Sequence, residues 1–287
     1  MTVILKSIAN DGQPLQATFA SDKGMNLVSF KKGDLEIIDQ STRNLFEERS
    51  AGLGALIGPH FHHRKQELVT PVLFEERFPH IARVKAKGIK EPFSHGVARY
   101  APWNCKSTET TLHARISGND LWNDVLLSSL EGFNFSMYMD VQISSNGLFI
   151  ELSVDAESSS VVGFHYYYSL FNGPSVISSD TQEYYYSGDQ KLEIPKDWKE
   201  KNKLHMPITG DMDFSFYPKN HSSISEVMLS TASHKLKIKY QSQTSESSFQ
   251  VYHPSGASFV CIEPLSATFP KKPKLHSSGI NMYIEVL

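Results

Sequence analysis

Three stretches of the chain set a titratable side chain among apolar or aromatic residues. In "FVCIEPLSA", Glu263 closes a run of Phe259, Val260, Cys261 and Ile262 that reads as a buried strand, and Pro264 ends it. Glutamate is rarely buried without a partner. This one is therefore either ion-paired or placed for proton transfer, because burial raises a carboxyl pKa toward the range a general base needs near neutral pH. In "GFHYYYSLF", a strand puts His165, Tyr167 and Ser169 on one face and Tyr166 and Tyr168 on the other. Tyrosines on both faces suit a sheet that faces a sugar, and equally a core whose hydroxyls are satisfied. In "FSHGVARYAPW", His95 precedes Gly96, where the backbone can turn sharply, and Trp103 follows within reach of a nearby cleft. The plainer reading of His95 is a strand-end histidine that caps backbone groups.

A fourth stretch, "GPHFHHR", is more conspicuous: His60, His62, His63 and Arg64 follow Gly58-Pro59. A strand period places His60 and His62 on one face and Phe61 and His63 on the other. A metal site here needs a further carboxylate or histidine converging from elsewhere. The sequence names none, so we expect no metal and expect the cluster to lie at the edge or rim of a cleft.

Strands must position these residues, since period-2 alternation dominates. "FSMYMDVQIS" sets Phe135, Met137, Met139, Val141 and Ile143 on one face, and "LFIELSVDA" does the same with Leu148, Ile150, Leu152 and Val154. Asn146-Gly147 between them is a strong hairpin signal. "KLKIKY" alternates Lys235, Lys237 and Lys239 with Leu236, Ile238 and Tyr240, as a sheet with one wet face does. "MNLVSF", "DLEIID", "TLHARIS" and "NMYIEVL" are further strand candidates. Helical periodicity is scarce: "STRNLFEERS" is compatible with a helix from Ser41, and "PKDWKEKNK" with one or two turns. Many short strands at about ten-residue spacing predict an all-β sandwich. With no linker or repeat, residues 1–287 read as a single domain.

Composition excludes several classes of function. A formal net charge of −3 gives no field to recruit nucleic acid or an anionic membrane. No stretch approaches the roughly 20 apolar residues of a membrane span. "MTVILKSIANDGQ" has too short an apolar run for a signal peptide. Cys105 and Cys261, the only cysteines, read as reduced thiols of a cytoplasmic protein.

In order and separation, "HGVAR…W", "FHYYYSLF", "GDMDF" and "FVCIEP" resemble the aldose 1-epimerase (galactose mutarotase-like) family, and "GMNLVSFKKGDLEIID" resembles its first hairpin. The resemblance runs from about Gly24 to the last strand. It implies a large twisted antiparallel β-sandwich with a sugar cleft and no cofactor. It also implies Glu263 as general base, His165 as general acid, and His95 as a residue that holds and polarises the sugar. Asp213 is the match for an aspartate that binds sugar hydroxyls, with Asp211 the alternative, and Arg64 is the nearest counterpart of a substrate-contacting arginine. Trp103 or Tyr167 could stack on the sugar ring. In this chain Arg64 lies one residue further from Pro59 than is usual, His62-His63 stand where asparagine or glycine is commoner, and Tyr166 stands where proline or serine is usual.

The expected partner is a monosaccharide. A phosphorylated sugar is the second reading, since the "HGVAR…W" spelling and short chain resemble the hexose-6-phosphate 1-epimerase branch. Its phosphate would need basic partners. Arg64, Lys65, Arg77, Arg83, Lys85, Lys87 and Arg99 are candidates, although runs like "RVKAKGIK" more often form a solvated strand face. A carbohydrate-binding protein without catalysis is the third reading. The sequence gives no oligomeric state.

Overall fold

Alternating apolar and polar residues build two large antiparallel sheets that bury their apolar faces against each other. The structure, a computed structural model, describes residues 1–64, 66–171, 173–220 and 224–287. One sheet runs, edge to edge, through strands Thr2–Ile8, Pro14–Ala20, Asn26–Lys32, Gly54–Ile57, Gly163–Ser169, Phe259–Leu265, Ser248–His253, Met212–Pro218, Thr181–Ser187 and Gln190–Glu193. The other centres on Lys235–Ser242, Ser277–Val286, Gly147–Ala156, Phe135–Ser144 and Thr111–Ser117. No helix among the described residues is long and apolar enough to cross a membrane.

The core lies between the sheets. Phe164, Tyr166, Tyr168, Ile262 and Val251 from the first meet Met137, Met139, Ile150, Leu152, Ile238 and Met282 from the second. Phe135–Ser144 and Thr111–Ser117 have the limits that alternation predicts. The hairpin expected after Phe135–Ser144 forms with Ser144 opposite Gly147, so its two-residue turn is Ser145-Asn146, one position earlier than the Asn-Gly pair suggests. Of "DLEIID", only Leu35–Glu36 is strand. A 3-10 turn at Gln40–Thr42, capped by Asp39, leads into the helix Arg43–Arg49. "PKDWKEKNK" supplies a single 3-10 turn, Lys196–Trp198, and the short strand Lys199–Glu200.

Two expectations fail between residues 58 and 90. "GPHFHHR" is not a strand: pairing stops at Ile57, and His62 takes φ +58°, which breaks the alternation. Nor is "RVKAKGIK" a strand face. Its first half ends the helix Pro79–Ala86, which starts with proline in its first turn and buries His80, Ile81 and Val84 on one side.

Tyr166 and Tyr168 turn into the core, and both hydroxyls are buried without a hydrogen-bond partner among the described residues. His165 and Tyr167 alternate with them and so face outward from the sandwich, as do Cys261 and Glu263 on the neighbouring strand. That outer face carries the candidate site.

Candidate active site

Neighbouring strands Gly163–Ser169 and Phe259–Leu265 pair Tyr166 with Ile262 and Tyr167 with Cys261. This register brings His165 Nε2 to 3.2 Å from Glu263 Oε1. Both side chains are buried, with Glu263 only 3% exposed. Among the described residues Glu263 has no lysine or arginine salt bridge. Burial pushes its carboxyl up to about 8; Arg99 partly opposes the rise and Asp213 adds to it. Burial drives His165 the other way, well below the usual histidine value, and the Arg99 charge adds to the fall. The His165 ring stacks on Tyr167 at 5.0 Å.

His95 meets the pair edge-on, its ring 5.2 Å from that of His165. Two tight turns hold it. Its own φ is +66°, its N–H donates to the His62 carbonyl, and its carbonyl accepts from Gly58 N–H. His95 Nδ1 accepts the backbone N–H of His62 at 3.2 Å. Burial keeps the ring neutral, with Arg99 and His165 acting in the same direction. A neutral imidazole that accepts at Nδ1 carries its proton on Nε2, so His95 is a fixed donor there. His95 thus does cap backbone, and it also joins the pair.

Gly96 must be glycine: at φ +92°, a Cβ would stand 1.9 Å from the Gly58 carbonyl oxygen. Gly96→Ala is expected to destabilise the chain by about 3 kcal/mol or more, from left-handed strain plus the overlap. Chemical denaturation measures this, and a loss under about 0.5 kcal/mol, typical of surface changes, would contradict the packing.

Arg99 is the residue whose place the sequence did not reveal. It is 3% exposed. Its Nε donates to the Ser50 carbonyl at 2.7 Å, while Nη2 is buried without a partner among the described residues. Its charge acts on Glu263, His165 and His95 together. The "HGVAR" spelling held the signal, since Arg99 follows His95 by four residues in a tight turn.

The other expected residues are dispersed. Asp213 lies on the same outer face, opposite Tyr252, which in turn stands opposite Cys261, so it is two strand spacings, about 10 Å, from Cys261. It is exposed and acts on Glu263 electrostatically. Asp211 accepts the Ser255 N–H. Trp103 packs in the core between the sheets, its indole N–H donating to the Ala98 carbonyl, and braces the His95–Arg99 segment from behind. Among the phosphate candidates, Arg77 donates to the Asn123 carbonyl, Arg83 to the Glu48 carbonyl, Lys85 to Glu75 and Lys87 to Glu48. Lys65 lies outside the described residues.

Arg64 forms a fork onto Glu91, with Nε 2.8 Å from one carboxylate oxygen and Nη2 2.9 Å from the other, and also donates to the Glu131 carbonyl. Glu131 accepts from Val97 N–H, Glu91 from Phe93 N–H, and His60 Nδ1 lies 2.5 Å from Glu131. Burial opposes the charge on Arg64, but Glu91 and Glu131 outweigh it and hold the guanidinium firmly protonated. The network grips the turn on both sides of His95.

This architecture is the galactose mutarotase-like β-sandwich. A galactose mutarotase-like protein from Lactobacillus casei ATCC 334 matches with a TM-score of 0.68 and 15% identity, over 99% of this chain and 100% of that one. The GalM/aldose epimerase homologue from C. elegans gives 0.64 at 12% identity, over 99% of each chain. A galactose mutarotase-like protein from Clostridium acetobutylicum gives 0.62 at 12% identity, over 99% and 98%. No protein-family model matches the sequence, and no curated protein matches it.

Proposed function

We propose that this chain is an aldose 1-epimerase acting on a free hexose, as a single cytoplasmic domain, with Glu263 and His165 as its acid–base pair. One observation carries the reading: two buried groups 3.2 Å apart, their proton affinities pushed in opposite directions by burial. Such displaced pairs mark acid–base assignments. Interconverting anomers requires a base to take the O1 proton and an acid to protonate the ring oxygen. The aldehyde then rotates and recloses with the roles reversed. No metal or redox cofactor enters that chemistry. His95 donates to a sugar oxygen through Nε2, and Asp213 accepts from hydroxyls at the outer end.

At neutral pH the pair holds one transferable proton, on Glu263 in the empty site. Carboxylate with imidazolium, the state the general-base assignment needs, has the same proton count. Either tautomer supplies one acid and one base. Activity is therefore expected to follow a bell: falling below the depressed histidine value as a second proton binds, and falling above about 8 as the shared proton leaves. Activity that rises through this alkaline limb without falling would contradict the shared-proton pair.

The deciding experiment follows equilibration of freshly dissolved α-D-glucose and α-D-galactose by polarimetry or NMR, with glucose 6-phosphate and galactose 6-phosphate in parallel. Acceleration of the free sugars supports the proposal. The phosphorylated reading draws on Arg99, whose Nη2 has no partner among the described residues, and on Lys271, whose charge reaches His62; preference for the 6-phosphates would establish it. Sugar binding without acceleration would make the chain a binding protein.

A further inference from the structure

The mechanism makes no use of Cys261, yet its thiol belongs to the same group of atoms. One donor atom each from His165, Cys261 and Glu263 lie within 4.8 Å of one another on two adjacent strands. Imidazole, thiolate and carboxylate are the donors of zinc sites. Zinc bonds of about 2.0–2.3 Å in a tetrahedron set donors about 3.3–3.6 Å apart. His165 Nε2 and Glu263 Oε1 already stand at 3.2 Å. Closing the thiol onto them asks for about 1 Å, within reach of side-chain rotation. Arg99 repels a cation, and burial holds both Cys261 and Glu263 toward their protonated forms, so an ion must displace those protons as it binds. Two anionic donors balance a divalent ion.

We propose that His165, Cys261 and Glu263 form a reversible binding site for a thiophilic divalent cation, zinc above all, with water as the fourth ligand. Binding itself is independent of the proposed activity. Its consequence rests on that reading: an ion held there occupies both members of the acid–base pair and silences the enzyme.

The test adds Co2+ to the metal-free full chain and follows thiolate-to-cobalt charge transfer in the near ultraviolet, then displaces the cobalt with Zn2+. One equivalent is expected. Cys261→Ser should abolish the band and weaken zinc binding by more than the about 10- to 100-fold that follows loss of an outer-shell partner. No band in the wild type, or a band that persists in Cys261→Ser, would overturn the site; the latter would assign the thiolate to Cys105. Should Cys261→Ser not fold, His165→Gln keeps the thiol and must weaken zinc equally; unchanged affinity overturns the site. In the mutarotation assay, zinc should inhibit at the concentrations that displace cobalt. Cys261→Ser, compared with its own zinc-free rate, should need correspondingly more. Zinc bound without inhibition would overturn the silencing. Absence of any mutarotation with the cobalt signature intact would overturn the mutarotase reading and leave the site standing.

Discussion

Glu263→Gln is expected to lower kcat/KM for mutarotation by about 10²- to 10⁴-fold, the usual contribution of a positioned acid or base, while the chain stays folded. The amide matches the carboxyl in shape and still offers His165 an acceptor, but it cannot take the O1 proton. Stability should move the opposite way. Folding raises the Glu263 pKa to about 8, so the native state holds a proton that the unfolded chain, with a carboxyl near about 4.3, releases. Wild-type stability therefore declines as pH rises from the unfolded value through about 8. The amide removes that contribution, and thermal unfolding should find the variant at least as stable as wild type on the alkaline side. Full activity in Glu263→Gln would sink the mechanism. His165→Asn should lose activity to a similar degree, and the double variant little more than either single one, because the two groups act as a unit.

Sequence made the pair legible for a physical reason. Charge inside a strand as apolar as Phe259–Leu265 is costly, so Glu263 stood out before any geometry was known. Alternation likewise showed that His165 shares a face with Tyr167. Strands with one wet face, such as Lys235–Ser242, repeat their pattern too regularly to be read otherwise. The segment from Gly58 to Arg99 resisted because its structure is tertiary in origin. Arg64, Glu91 and Glu131 are far apart in the chain; Arg64 reads as a candidate substrate contact, and no spacing pairs it with either glutamate. Arg99 read as one of several candidate phosphate partners; only the fold shows that it is buried and that its charge acts on His95, His165 and Glu263. The helix Pro79–Ala86 did leave signals, in Pro79 and in the three-residue spacing of Ile81 and Val84, but its alternating charges masked them.

Arg64→Met should cost about 3–5 kcal/mol of stability, because it leaves two buried carboxylates without their cation. The Glu91 and Glu131 side chains are 1% and 0% exposed, so water cannot take the place of the guanidinium. For a chain of this size the melting temperature should fall by on the order of 10 °C. Glu91→Leu in the same chain removes one of the two stranded charges and leaves Glu131 to His60, so it should restore a large part of the loss, since apolar residues of similar volume replace buried ion pairs at little cost. Arg64 acts, in this account, as a positioning residue that holds the turn on both sides of His95 through Phe93 and Val97. The resemblance to sugar epimerases implies something different, a direct substrate contact. In that case Arg64→Met would keep its melting temperature and raise KM, and Glu91→Leu would not repair it. A double-mutant cycle on Arg64 and Glu91, read by both melting temperature and KM, separates the two roles, because a structural pair couples strongly in stability and a substrate contact does not.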